Sequence, residues 1–153
     1  MVTLLRTNNA DPGFHSLIAL LEEDLSQRYG QAQAAYSPFN SLEKICAVVI
    51  AMNEGEPVAC GSFKPFEEDA VEMKRVFVKS AYRGQGLSKR ILQELESWAL
   101  ELGFVRAVLE TGPKQPEAIA LYTHSGYSQI DNFEPYVGFD DSVCFAKDLK
   151  ISC

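Results

Sequence analysis

Between Val71 and Leu102 the spacing of apolar residues changes once, from every second residue to every third and fourth, and the change falls on a pair of glycines. Val71 to Val78 alternates as a strand would, with Val71, Met73, Arg75 and Phe77 on one face and Glu72, Lys74, Val76 and Val78 on the other. Leu87, Ile91, Leu95, Trp98 and Leu102 then mark one side of a helix that Gly103 closes. A strand that passes through a tight turn into a long helix has to return to its own sheet, and Val105 to Leu109 has the composition of the returning strand. The unit commits the chain to an α/β architecture.

The flanking segments extend it. Val2 to Arg6 reads as a strand, and Asp11-Pro12 starts a helix, Asp as N-cap and Pro at the first helical position. Phe14, Leu17, Ile18, Leu21 and Leu25 carry that helix to about Tyr29. Gly30 to Leu42 has no period and is a candidate lid or substrate loop. Ile45 to Met52 and Val58 to Phe66 form a hairpin around Asn53-Glu54-Gly55-Glu56-Pro57. Pro116 to Ser125 is a short helix ending at Gly126, and Cys144 to Leu149 a last strand. The order β-α-(loop)-β-β-β-α-β-α-β predicts one domain over residues 1–153, a mixed sheet with helices on both faces, antiparallel early and parallel across both late β-α-β passages.

A net charge of -7 argues against nucleic acid, whose phosphates call for a broad basic face, and no apolar run reaches the length of a membrane span. Cys46, Cys60, Cys144 and Cys153 form no C-x-x-C pair, so no metal site is expected, and the reading is of a cytoplasmic protein with reduced thiols. Cys46 and Cys60 lie in apolar runs and read as small core residues. Charge is nonetheless uneven. Lys74, Arg75, Lys79, Arg83, Lys89 and Arg90 are six of the 14 basic residues, and no acid falls between Met73 and Leu92. With Gly84 and Gly86 opening a helix N-terminus, this reads as one basic patch kept for a polyanion. Neither the Walker spacing nor the dinucleotide G-x-G-x-x-G fits, since Lys89 stands where the third glycine should be.

Arg83-Gly84-Gln85-Gly86-Leu87-Ser88 resembles the R/Q-x-x-G-x-G/A acetyl-coenzyme A loop of the GNAT N-acetyltransferases, with Ser88 in place of Gly or Ala. Ala118 to Tyr122 followed by Ser125-Gly126-Tyr127 is similar to the family's later tyrosine helix, with Gln115 where an Asn often starts it. The resemblance implies the GNAT fold over nearly the whole chain and acetyl-coenzyme A as acetyl donor. Its pyrophosphate would be held by Arg83, Gly84, Gln85, Gly86, Leu87, Ser88 and Lys89, and its pantetheine would run beside Val76, Phe77 and Val78. It also implies direct transfer to a primary amine in a ternary complex and a tendency to form homodimers, while the charge and the short apolar runs speak against nucleic-acid and membrane partners.

The chemistry asks for a base near the amine and an acid near the departing thiolate. Glu72, between Val71 and Met73 on the strand that enters the loop, is the first candidate base, and Glu110 at the end of the next strand the alternative. The competing reading for both is a simple ion pair with Lys74 or Arg106. Tyr122 is the acid that the resemblance implies, against a plain packing role. The acidic loops at Glu67-Glu68-Asp69 and at Asp131, Glu134, Asp140 and Asp141 suggest a small-molecule acceptor that is cationic, with ordinary solvated surface as the alternative. A coenzyme A sensor or scaffold without catalysis is the runner-up function.

Overall fold

The computed structural model describes residues 1–29, 44–113 and 115–149. The suggested lid, Gly30 to Leu42, lies outside the described residues. The elements are β1 (Val2–Thr7), α1 (Pro12–Tyr29), β2 (Ala47–Asn53), β3 (Glu56–Glu67), β4 (Ala70–Val78), α2 (Leu87–Glu101), β5 (Arg106–Thr111), α3 (Pro116–His124), β6 (Ser128–Ile130) and β7 (Val143–Asp148), with a 3-10 turn at Ser80–Tyr82. Asp11 caps α1 as the sequence indicates: its Oδ1 accepts from the Gly13 N–H at 2.8 Å.

One seven-stranded sheet runs β1-β2-β3-β4-β5-β7-β6. Phe14, Leu17, Ile18 and Leu21 of α1 bury one face against Val48, Ile50, Cys60 and Phe77. On the other face, Leu87, Ile91, Leu92, Leu95 and Ala99 of α2 pack with Tyr122 of α3 against Val49, Phe63, Val71 and Met73. Gly61 fixes how closely α2 approaches. A methyl added there would stand 2.6 Å from Ile91 Cγ2 and 3.0 Å from Leu95 Cδ1.

β4 and β5 are parallel, as expected for strands joined by a helix, but β5 and β7 are antiparallel. The second parallel passage is therefore corrected. The physical reason is β6, three residues too short to leave a sequence pattern, which takes the upward run after α3 and forms an antiparallel hairpin with β7. β7 then comes back down and inserts between β6 and β5.

A second correction concerns the faces of β4. Arg75 has φ 59°, and Arg75 and Val76 together oppose the single residue Gly61 between the pairs Cys60–Phe77 and Ser62–Lys74. This β-bulge shifts the alternation by one residue. Val71, Met73, Val76 and Val78 share the α2 face, whereas Phe77 packs with α1 and Arg75 reaches Glu22 of α1. Cys46 also departs from expectation. It precedes the first residue of β2 and is exposed, whereas Cys60 and Cys144 are buried.

Gly61→Ala is expected to destabilise the fold by about 1–3 kcal/mol through overpacking against α2. The midpoint of urea unfolding should fall with an unchanged m-value; an unchanged midpoint would show that α2 can yield.

Candidate functional site

The parallel ladder between β4 and β5 is short. Ala70, Val71 and Glu72 pair with Arg106, Ala107 and Val108, and among the described residues no pairing follows on that side of β4. Beyond Glu72 the two strands part, with β5 still paired to β7 through Thr111. The wedge is flanked by α1 and α3 and holds two connected clefts.

The outer cleft, of about 290 Å³, is lined by Val76, Phe77 and Val78 of β4 and by Arg83, Gly84, Gly86, Leu87, Ser88 and Lys89 of the turn. Gln85 is the one residue of the predicted loop that does not line it. Gly84 and Gly86 have φ 80° and 78°, and a Cβ on either would meet no atom of the described residues within 4 Å. The first intrahelical bond of α2 runs from Arg90 N–H to Gly86 O at 3.1 Å, and no side chain among the described residues caps the helix start. The N–H groups of Leu87, Ser88 and Lys89 thus lie at an uncapped positive helix end. This arrangement suits a phosphate.

The predicted single basic patch is divided, however. Arg83 and Lys89 line the outer cleft, and Arg83 is steadied by its Nε bond to Val78 O at 3.0 Å and by the Phe77 ring. Lys79 is tied to Glu56 at 3.3 Å. Lys74 and Arg75 line the inner cleft instead, because the bulge brings both toward it.

That inner cleft, of about 140 Å³, is also lined by Glu110 and Thr111 at the end of β5, by Asp141, and by Tyr122 of α3. Leu21, Val76, Gln115, Ala118 and Tyr122 border both clefts. Glu110 accepts from the Ser142 hydroxyl at 2.8 Å. Burial pushes its carboxyl up to about 7, with the charge of Glu72 adding to the rise and the Ser142 hydroxyl and Lys74 ammonium opposing it. Since that value lies above the ordinary 4.5, the charged form is disfavoured in the fold, and stability falls as pH rises from about 4.5 through about 7. Tyr122, packed against Tyr127 and Phe145, is held above its ordinary pKa of 10 by burial and by the Glu110 charge, so it stays protonated at neutral pH.

Glu72 is placed differently. It is 2% exposed and does not line the cleft. Its carboxylate accepts from the Tyr136 hydroxyl at 3.2 Å and pairs with Lys74 at 3.5 Å and Lys64 at 3.7 Å. Tyr136, which no sequence motif marks, also accepts from Lys74 Nζ at 2.9 Å. Gln115 carries more than its position suggests: its side-chain oxygen accepts from Gly112 N–H and the Thr111 hydroxyl at 3.4 and 3.3 Å. Among the acidic loop residues only Asp141 reaches a cleft, and the described residues contain no cluster of metal-ligand type. No described helix is long and apolar enough to cross a membrane.

An uncapped helix start thus stands beside a wedge between two parallel strands, and the comparison with known proteins gives the class to which such a chain belongs. The chain belongs to the acetyltransferase (GNAT) family, whose profile matches residues 14–127. It is 30% identical over 137 residues to the IAA acetyltransferase of Azospirillum brasilense, covering 88% of this chain and 90% of that protein. To the uncharacterized N-acetyltransferase YjgM of Escherichia coli it is 41% identical over 81 residues, so the match spans about half of that relative, 48% of its length. A solved Klebsiella pneumoniae structure assigned to the acyl-CoA N-acyltransferases superimposes with a TM-score of 0.82 at 32% identity, covering 98% of this chain and 99% of that one. A GNAT acetyltransferase from Elizabethkingia anophelis, solved with acetyl-CoA bound, shares the fold at a TM-score of 0.71 and 16% identity, over 97% of this chain and 98% of that one.

Ser142→Ala removes the hydrogen bond that lowers the Glu110 pKa and should raise it further above about 7. Carboxyl NMR titration of Glu110 checks this; a midpoint that stays put or falls would mean the hydroxyl does not stabilise the carboxylate.

Proposed function

We propose that the protein transfers an acetyl group from acetyl-coenzyme A to a primary amine by direct attack, with Glu110 as the base and Tyr122 as the acid. The observation that carries this reading is the convergence of Glu110 and Tyr122 on the inner cleft where it joins the phosphate cradle. The residues fit the coenzyme: open glycines and uncapped N–H groups suit the pyrophosphate, and the unpaired edge of β4 from Val76 to Val78 suits the amides of the pantetheine arm. When bound, the coenzyme supplies an activated thioester.

The chain's own part is proton handling. An ammonium group must lose a proton before its nitrogen can bond to the acetyl carbon, and the Glu110 carboxylate, poised near neutrality, takes one. As the carbon–nitrogen bond forms and the carbon–sulfur bond breaks, the Tyr122 hydroxyl gives its proton to the sulfur, which leaves as the thiol, and the second proton shed by the nitrogen restores the phenol. Glu72 is the weaker candidate base because two ammonium groups and a phenol already occupy its carboxylate. It acts instead as the counter-charge that holds Lys74.

Thiol release from acetyl-coenzyme A in the presence of a panel of amines tests the reading. Binding of the coenzyme without release under any amine would favour the sensor or scaffold. Tyr122→Phe is expected to lower kcat roughly ten- to a thousandfold with little change in coenzyme affinity. Activity should rise with pH through about 7 as Glu110 ionises, and Glu110→Gln should remove that inflection while Glu72→Gln keeps it. Full kcat in Tyr122→Phe would return the phenol to a packing role.

A further inference from the structure

We infer that Tyr136 is a positioning residue for Glu110: its phenol pins the loop between β6 and β7 to β4, and the pinned loop holds the Ser142 hydroxyl on the Glu110 carboxyl. This rests on the reading of Glu110 as the base and adds the part of the chain that sets it.

Residues 131–142 join β6 to β7 without helix or strand, yet they bring Asp141 to the inner cleft and Ser142 to Glu110 at 2.8 Å. Of these residues only Tyr136 and Ser142 are buried, so the loop meets the body of the protein at two points. Successive backbone turns connect the two. Tyr136 N–H donates to Phe133 O at 2.7 Å, Phe139 N–H to Tyr136 O at 3.1 Å and Ser142 N–H to Phe139 O at 3.1 Å, each turn beginning where the last one ends. The side-chain amide of Asn132 donates to Tyr136 O and to Phe139 O, at 3.2 Å each, and ties the middle of this coil together. A displacement at Tyr136 is therefore passed on to Ser142.

The pin lies behind the cleft wall. The Tyr136 hydroxyl accepts from Lys74 Nζ at 2.9 Å and donates to Glu72 at 3.2 Å, two charge-assisted bonds made through one atom. Neither Tyr136 nor Glu72 lines the inner cleft, so these bonds hold the scaffold and not a ligand. The Tyr136 ring stands edge-on to Phe133 at 5.5 Å, and Phe133 to Phe66 of β3 at 4.8 Å, which fixes the start of the loop as well.

Glu110 is faced by Glu72 and Lys74 of β4, by Asp141 and Ser142 of the loop, by Tyr122 of α3 and by Cys144, its partner on β7, and its charge also reaches Tyr136. Burial raises the pKa of its carboxyl, and the Ser142 hydroxyl, bonded to it directly, opposes that rise. A loop that drifts from this position leaves Glu110 protonated to higher pH and less able to take a proton from an ammonium group.

Tyr136→Phe removes the hydroxyl and keeps the ring. Carboxyl NMR titration of the protein without coenzyme is expected to place the Glu110 midpoint above that of the wild type, in the direction of Ser142→Ala. In the Ser142→Ala background Tyr136→Phe should add no further rise, because a route through the loop ends at that hydroxyl. In assays of thiol release, the rise of activity with pH should move up in parallel, and kcat should fall by up to roughly a hundredfold, the effect of a misplacement of about 1 Å. Coenzyme affinity should not change, since none of residues 131–142 lines the outer cleft. Asn132→Ala loosens the same coil without touching the phenol; it should shift the midpoint in the same direction, and it decides if Tyr136→Phe does not fold. A Glu110 midpoint that stays put or falls in Tyr136→Phe would overturn the inference and leave the acetyltransferase reading intact. So would an equal rise with Ser142 already replaced, which would mean that the phenol acts through the charges of Glu72 and Lys74 and not through the loop. Absence of thiol release with every amine overturns the acetyltransferase reading, and the titration still decides whether Tyr136 positions the carboxyl.

Discussion

The course of β4 past its last pairing with β5 depends on the backbone turning at Arg75. A non-glycine residue at φ 59° carries strain of about 1–3 kcal/mol, so it persists only where neighbours hold it. The neighbours are on β3: the Ser62 hydroxyl donates to Lys74 O at 2.6 Å and the Cys60 thiol to Arg75 O at 3.4 Å. Gly61, opposite the bulge, lets α2 pack closely against β3. The bulge adds twist to β4 just past its last pairing with β5. From one local distortion follow the wedge, the unpaired strand edge and the placement of two successive cations in one cleft.

The same region separates two carboxylates by environment. Glu72 and Glu110 lie on neighbouring strands, yet one is saturated with partners and the other is left mostly with desolvation. A shift from 4.5 to about 7 corresponds to at most about 3 kcal/mol at 1.36 kcal/mol per unit, reduced by what solvent still reaches the group. Net stabilities of domains are only about 5–15 kcal/mol, so a destabilising carboxylate of that size is a feature of sites rather than of scaffolds. Lys74 links the two acids, since its ammonium pairs with Glu72 and lowers the Glu110 pKa. Changes at Glu72 will therefore be felt at Glu110 without direct contact with substrate.

The order of the long elements was legible in the sequence because Phe14 to Leu25 and Leu87 to Leu102 hold a clear helical period and the hairpin a clear turn. The glycine loop was legible too, since glycines at a helix start have few other uses. What escaped detection has specific causes. β6 is three residues long and has no period to read. The bulge falls on Arg75, a residue type with no preference for positive φ, so the alternation of β4 looked regular and its faces came out wrong beyond Lys74. The partners of Glu72 escaped too: Lys64 faces it across the β3–β4 pairing and Tyr136 comes from a distant loop, so no local pattern marks them.

The second half of the tyrosine motif shows why two aromatics recur so close together. Tyr127 does not reach either cleft; its N–H donates to Tyr122 O at 3.0 Å and its ring stands edge-on to Tyr122 at 5.9 Å. Its hydroxyl donates to Glu96 of α2 at 3.0 Å, and Lys147 of β7 donates to the other oxygen of the same carboxylate at 2.8 Å. Gly126, at φ 94°, makes the turn that brings Tyr127 back under the helix it follows. A short helix such as α3 has little stability of its own, so the direction of the Tyr122 phenol is set by this buried anchor rather than by the helix. Placement of the Tyr122 phenol is thus a property of α2 and β7, two elements whose side chains do not line the inner cleft.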